Sequence, residues 1–222
     1  MQPKRNIKGF TILELLVILA IVGIVSALGF PKFDEWSMDR KVRAQAEKVA
    51  TLVSVAITQV ERGSYPYVRI EFEGAKFITV KGISPETLSD KLNSGNPPEC
   101  TTADMNDSEL ITSYTLDDDV KVFHLKKSAA ICFSKGGKYF NQVQSASTQG
   151  NVKLDNKARL TNNVIVLCHN RLTTCNAVTN SFLPIKTATV RGNFPAYLVS
   201  YSRFGMVNKY KWSYSESDWT NQ

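Results

Sequence analysis

Glu14 is the residue whose position most needs a chemical explanation. It is the single charged side chain in the 21 residues from Phe10 to Phe30, a run that is otherwise mostly apolar. As a helix that run measures about 30 Å, the thickness of a hydrocarbon core. A carboxylate inside it is costly unless something pairs with it, so such a residue reads as functional. Lys4, Arg5 and Lys8 precede the run and Gly9 stands at the junction. The chemistry expected here is ion pairing in an apolar medium.

The cysteines come next. Cys168 and Cys175 enclose the polar hexapeptide His169-Asn170-Arg171-Leu172-Thr173-Thr174 and form a natural local bridge. Cys100 and Cys132 would then pair over a longer loop, although sequence alone leaves three connectivities open. Bridges suit an oxidising compartment, and each would add about 2–4 kcal/mol by restricting the unfolded chain. The rival reading is a metal or nucleophile site on Cys168, His169, Cys175 and His124. That spacing is not a zinc knuckle, and the chain holds two histidines. Asp117-Asp118-Asp119 lacks the spaced ligands of a calcium loop and reads as a solvated turn. Ser134-Lys135-Gly136-Gly137-Lys138 is too short for a phosphate loop. With no serine nucleophile elbow and no zinc-protease helix, neither an enzyme nor a cofactor or metal site is expected.

These groups need elements to hold them. Of 222 residues, 43 % are hydrophobic and the formal charge is +7. Residues 1–9 carry three of those excess positive charges, and a basic N-terminal flank keeps that end in the cytoplasm. Pro31 removes a helical hydrogen bond, so a kink or a locally melted turn is expected there. Beyond it, Val42, Ala46, Val49, Val53, Ala56, Ile57 and Val60 recur at three- and four-residue steps. That is one apolar stripe, with Arg40, Lys41, Arg43, Glu47, Lys48 and Gln59 on the other positions. Gly63-Ser64-Tyr65-Pro66 stops the pattern. One helix from Phe10 to Arg62 is predicted, its first half in lipid and its second on a globular domain.

Strand signals follow. Residues 68–72 and 76–80 alternate with period two around a turn at Glu73-Gly74-Ala75. A short helix is predicted from Ser84 to Leu92, with Ser84 as its cap, and a loop from Asn93 to Asp107. Residues 120–125, 129–134 and 163–168 read as strands, 141–162 as polar and unassigned, and 197–214 as a terminal hairpin. The predicted fold class is α+β: a long kinked helix on a mainly antiparallel β domain. Four segments result, at 1–9, 10–30, 31–62 and 63–222.

The N-terminal residues resemble the type IV pilin-like superfamily of pilins, minor pilins and type II secretion pseudopilins. Gly9, Phe10, Thr11, Glu14, Leu15, Leu16 and Pro31 carry the resemblance. It implies cleavage by a prepilin peptidase between Gly9 and Phe10, followed by N-methylation of Phe10. It also implies that Glu14 pairs with the Phe10 amine of a neighbouring subunit during assembly. Implied partners are related subunits, the peptidase and methyltransferase, an assembly platform protein with its ATPase, and the inner membrane before assembly. The implied place is the inner membrane, with the C-terminal domain in the periplasm, and then a pilus or pseudopilus. A competing reading is a secretory signal cut after Ala27.

The terminal hairpin resembles the GspH/FimT subgroup, through Ser202 and Gly205 in a Ser-x-x-Gly turn between two strands. Some FimT-like minor pilins bind DNA through basic C-terminal residues. Here Lys186, Arg191, Arg203, Lys209 and Lys211 are interleaved with Tyr201, Tyr210, Trp212 and Tyr214. Cations among aromatics suit a nucleic-acid backbone and its bases. Gly205 is followed by Met206-Val207-Asn208 rather than by arginines, and alternating aromatics equally suit a half-buried strand.

Overall fold

The computed structural model describes residues 10–73, 76–98, 108–124, 130–137, 152–154, 158–160, 164–172, 194–202, 205–216 and 218–222. At 27–32, 123–124, 137, 152–154 and 158–160 it describes the backbone alone. Gly9 and the rest of 1–9, the turn residues 74–75, Cys100, Cys175, Lys186, Arg191 and Arg203 lie outside the described residues.

Thr11 starts the first element. Its Oγ1 accepts the Glu14 backbone N–H at 3.2 Å, and its carbonyl accepts the Leu15 N–H at 3.2 Å. Threonine with glutamate three residues on is the pattern of a capped helix start. Helix α1 (Ile12–Arg62) then runs unbroken through Pro31, so that turn stays helical and does not melt. It stops at Gly63, whose φ of 76° lies in the left-handed region open to glycine. The Gly63 N–H donates to the Val60 carbonyl at 3.1 Å, closing the last turn.

From Met38 onward α1 is part of a unit that extends to Gln222. Strands β1 (Tyr67–Glu73) and β2 (Phe77–Ile83) pair antiparallel, and helix α2 (Pro85–Asn93) follows. Ser84 caps α2, its Oγ accepting the Thr87 N–H at 3.2 Å. Next come β3 (Glu109–Thr115), β4 (Val120–His124) and β5 (Ala130–Ser134). After the small pair β6 (Val152–Leu154) and β7 (Ala158–Leu160) come β8 (Val164–His169), β9 (Ala196–Tyr201), β10 (Val207–Ser213) and β11 (Asp218–Asn221). Two sheets result, ordered β3-β2-β1-β5 and β11-β10-β9-β8-β4, with every described neighbour pair antiparallel.

Both sheets close on the same helix stripe. Val42, Ala46, Val49, Val53, Ala56 and Val60 share one buried cluster with Val68, Ile70, Ile131 and Phe133 of the first sheet. Ile165, Leu167, Tyr197, Val199 and Tyr201 of the second sheet join it. Alternation along each strand sends the other residues to the opposite faces. Tyr67, Ile83, Ala130 and Cys132 pack beside Leu88 of α2. Val164, Val166, Cys168, Leu198, Trp212 and Trp219 form a third cluster with Met38. Cys132 and Cys168 are both buried and disulfide-bonded.

The hairpin of β9 and β10 turns at the predicted Ser202 and Gly205. Ser202 donates its N–H to the Met206 carbonyl at 2.9 Å, and its Oγ accepts the Met206 N–H at 3.1 Å. Gly205 has φ +93°, and a Cβ there would lie 2.8 Å from Ile57 Cγ2 on α1. The glycine is therefore needed twice, for its backbone angle and for contact with the helix. Gly205→Ala should destabilise the folded unit by about 1–3 kcal/mol. Urea denaturation of the full chain in detergent checks this, and an unchanged midpoint would contradict it.

Candidate assembly surface of the N-terminal helix

The first turns of α1 leave apolar side chains uncovered on every side. Large apolar residues from Phe10 to Val25 are between 47 % and 84 % exposed. A helix apolar all round is normally enclosed by lipid or by other helices. Among the described residues no helix is long and apolar enough to cross a membrane. The described side chains of this run end at Ser26, whereas the apolar sequence continues to Phe30. Phe10 and Glu14 are both exposed, and Glu14 stands one turn along from Phe10 in the helix's first turn. There a carboxylate also faces the positive end of the helix dipole. The geometry therefore offers one acid on an exposed apolar rod.

Lys209 and Lys211, two of the residues considered for nucleic acid, sit elsewhere and are engaged. Lys211 Nζ lies 2.8 Å from Asp39 Oδ1 on α1. Lys209 Nζ lies 3.9 Å from Glu47. Pairing across β9 and β10 sets Lys209 opposite Val199 and Lys211 opposite Tyr197, on the face turned to the helix. The Tyr197 hydroxyl donates to Asp39 at 3.1 Å, and Lys211 lies 5.8 Å from the Tyr197 ring centre. Burial, followed by the adjacent Asp39 charge, pushes the Tyr197 hydroxyl well above the usual tyrosine range. Nothing local in the sequence marks Asp39 and Glu47 as partners, because the contacts bridge distant parts of the chain.

The acidic tract is engaged as well. Asp119 Oδ2 lies 2.5 Å from Lys41 Nζ, and Asp118 pairs with Lys76. The Lys41 hydrogen bond, then its charge, holds the Asp119 carboxyl below the usual range. Asp119 N–H donates to Asp117 Oδ1 at 3.0 Å, the hydrogen bond of an Asx turn. Ordered turn and lysine pairing together account for three consecutive acids without a ligand.

Comparison with known proteins agrees with the N-terminal reading. The prokaryotic N-terminal methylation motif matches residues 4–30. Two fimbrial proteins of Pseudomonas aeruginosa are each 30 % identical over 56 residues, which is 25 % of this chain and 36 % of the relative. The chain thus spans about a third of the length of the curated relatives it matches. No solved structure matches it. The N-terminal segment is thus similar to that of type IV pilin-like proteins.

Tyr197 on β9 and Tyr214 just after β10 give measurable predictions. Tyr197→Phe removes the hydroxyl from Asp39 and should cost about 1 kcal/mol in urea denaturation. No loss would mean that Lys211 alone holds Asp39. The Tyr214 hydroxyl donates to the Phe194 carbonyl at 2.7 Å, and burial raises its pKa from 10.0 to about 12. Its folded form stays protonated where the unfolded chain ionises. This contribution to stability is therefore whole below pH 10 and lost as pH rises towards 12. Denaturation midpoints across that interval check the sign, and a rise in stability would contradict it.

Proposed function

We propose that the chain is a non-catalytic filament subunit, either a minor pilin of a type IV pilus or a pseudopilin of type II secretion. The observation that carries this reading is the uncovered apolar helix with Glu14 in its first turn, inside a matched methylation motif. Residues 1–9 are the leader, 10–30 span the inner membrane and later the filament core, 31–62 continue the helix, and 63–222 form the periplasmic domain. The prepilin peptidase cuts after Gly9, and Phe10 is N-methylated. A bend at Pro31 adjusts the helix path.

The order of events follows from the physics. The basic leader anchors the N-terminus in the cytoplasm. Cleavage creates an amine at the membrane face. The assembly ATPase and platform protein draw the subunit out of the bilayer, and apolar helix faces bury against those of related subunits. Glu14 in that bundle is desolvated, so it requires a cation, and the Phe10 amine of a neighbour supplies it. The β domain faces solvent and has no catalytic task. Its bridges join Cys100 to Cys132 and Cys168 to Cys175. DNA binding through Arg203, Lys209 and Lys211 would require both lysines to leave Glu47 and Asp39, and no observation favours it. Release after Ala27 would separate the apolar rod from the unit that begins at Met38.

Glu14→Ala should leave membrane insertion intact, because it makes the span more apolar. It should sharply reduce the variant's share in sheared filaments, read by immunoblot against its membrane level. Normal incorporation would refute the pairing role. Peptide mapping without reductant should recover the two bridges named above, and any other pairing would overturn that assignment.

A further inference from the structure

We infer that Phe33 and Trp36 form an interfacial anchor that sits among the phospholipid headgroups on the outer side of the inner membrane. The inference rests on the membrane-anchor reading of residues 10–30. The two residues lie three apart on α1 and therefore share one face. Their ring centres are 5.6 Å apart, with planes tilted by 41°. Phe33 is 64 % and Trp36 52 % exposed, so the pair presents its aromatic surface outward. Asp34 and Glu35 are also exposed, and both lie off that face.

Position selects the occupant. Counting from Phe30, the last residue of the apolar run, helical rise puts Phe33 about 4–5 Å and Trp36 about 9 Å further along. A headgroup layer is roughly 5–8 Å deep on each side of the hydrocarbon. Phe33 therefore lies within that layer and the Trp36 backbone just beyond it, with helical side chains tilted back toward the N-terminus and so toward the membrane. Tryptophan suits this zone because its ring is apolar and its N–H still finds a polar partner. The exposed Glu35 carboxylate is suited by water, which a headgroup layer provides and a dry helix bundle does not.

The chain's other two tryptophans make the test clean. Trp212 and Trp219 are buried, packed edge to face at 5.3 Å. Subtracting the emission of Trp36→Phe from that of the wild type isolates Trp36. The full chain is reconstituted in phosphatidylcholine vesicles containing some phosphatidylglycerol, with bromine placed near the headgroups or near the chain ends. The expected result is blue-shifted Trp36 emission, quenched more by shallow than by deep bromine and little by aqueous acrylamide. Vesicle-bound chain whose Trp36 resists bromine and yields to acrylamide would overturn the inference and leave the anchor standing. Shielding from both quenchers would overturn it in favour of contact with a second copy. Chain that fails to float with the vesicles would overturn the anchor and the inference together.

Discussion

The stripe from Val42 to Val60 is apolar because two sheets share it. Seven buried residues of α1, Ala50 among them, meet the inner faces of a four-stranded and a five-stranded sheet in one cluster. Neither sheet could bury its inner face alone, and a lone helix of this length would lose most of its stability without a packed face. The rest of the domain follows from that contact. Its turns return each strand to the stripe, and Gly205 lets the last hairpin approach Ile57. The lysines of β10 reach the helix carboxylates from the same face.

The same helix meets a different requirement in its first turns. There apolar side chains point in all directions and are exposed. Burial of apolar surface is the dominant favourable term in folding and association, so a surface of this kind is completed by its surroundings. In the proposed filament Glu14 would add direction to that association: an apolar rod can slide against its neighbours, whereas one desolvated carboxylate would fix a register by choosing its partner. Thr11 keeps the backbone at that point capped, so the helix holds the carboxylate in place from its first turn.

Much of this was legible from residue order. The stripe, the stop at Gly63, the cap at Ser84 and the turn at Ser202 are local patterns, and local patterns survive folding. Strand β3 was not legible, because Glu109–Thr115 is a polar edge strand with much of its length exposed and a register shift opposite Val80 and Lys81. Strand β11 was missed because four residues carry too little periodicity, although Trp219 pairs with Trp212 and is fully buried. The division into two sheets was also hidden, since β4 joins β8 across a long stretch of sequence. The basic residues of the hairpin looked available for a ligand. Lys209 and Lys211 instead face Glu47 and Asp39, a pairing that only the fold creates. Of the two outcomes expected at Pro31, a kink or a melted turn, the melted turn does not occur, and the turn there remains helical.

The central claim is that the apolar rod begins at Phe10 in the mature protein and is built for a filament. Mass spectrometry of the N-terminal peptide, from membranes of cells with and without prepilin peptidase, tests it most directly. The account predicts an N-methylated Phe10 terminus that disappears when the peptidase is absent. A terminus at Leu28, unaffected by the peptidase, would contradict it and would make the β domain a separately released protein.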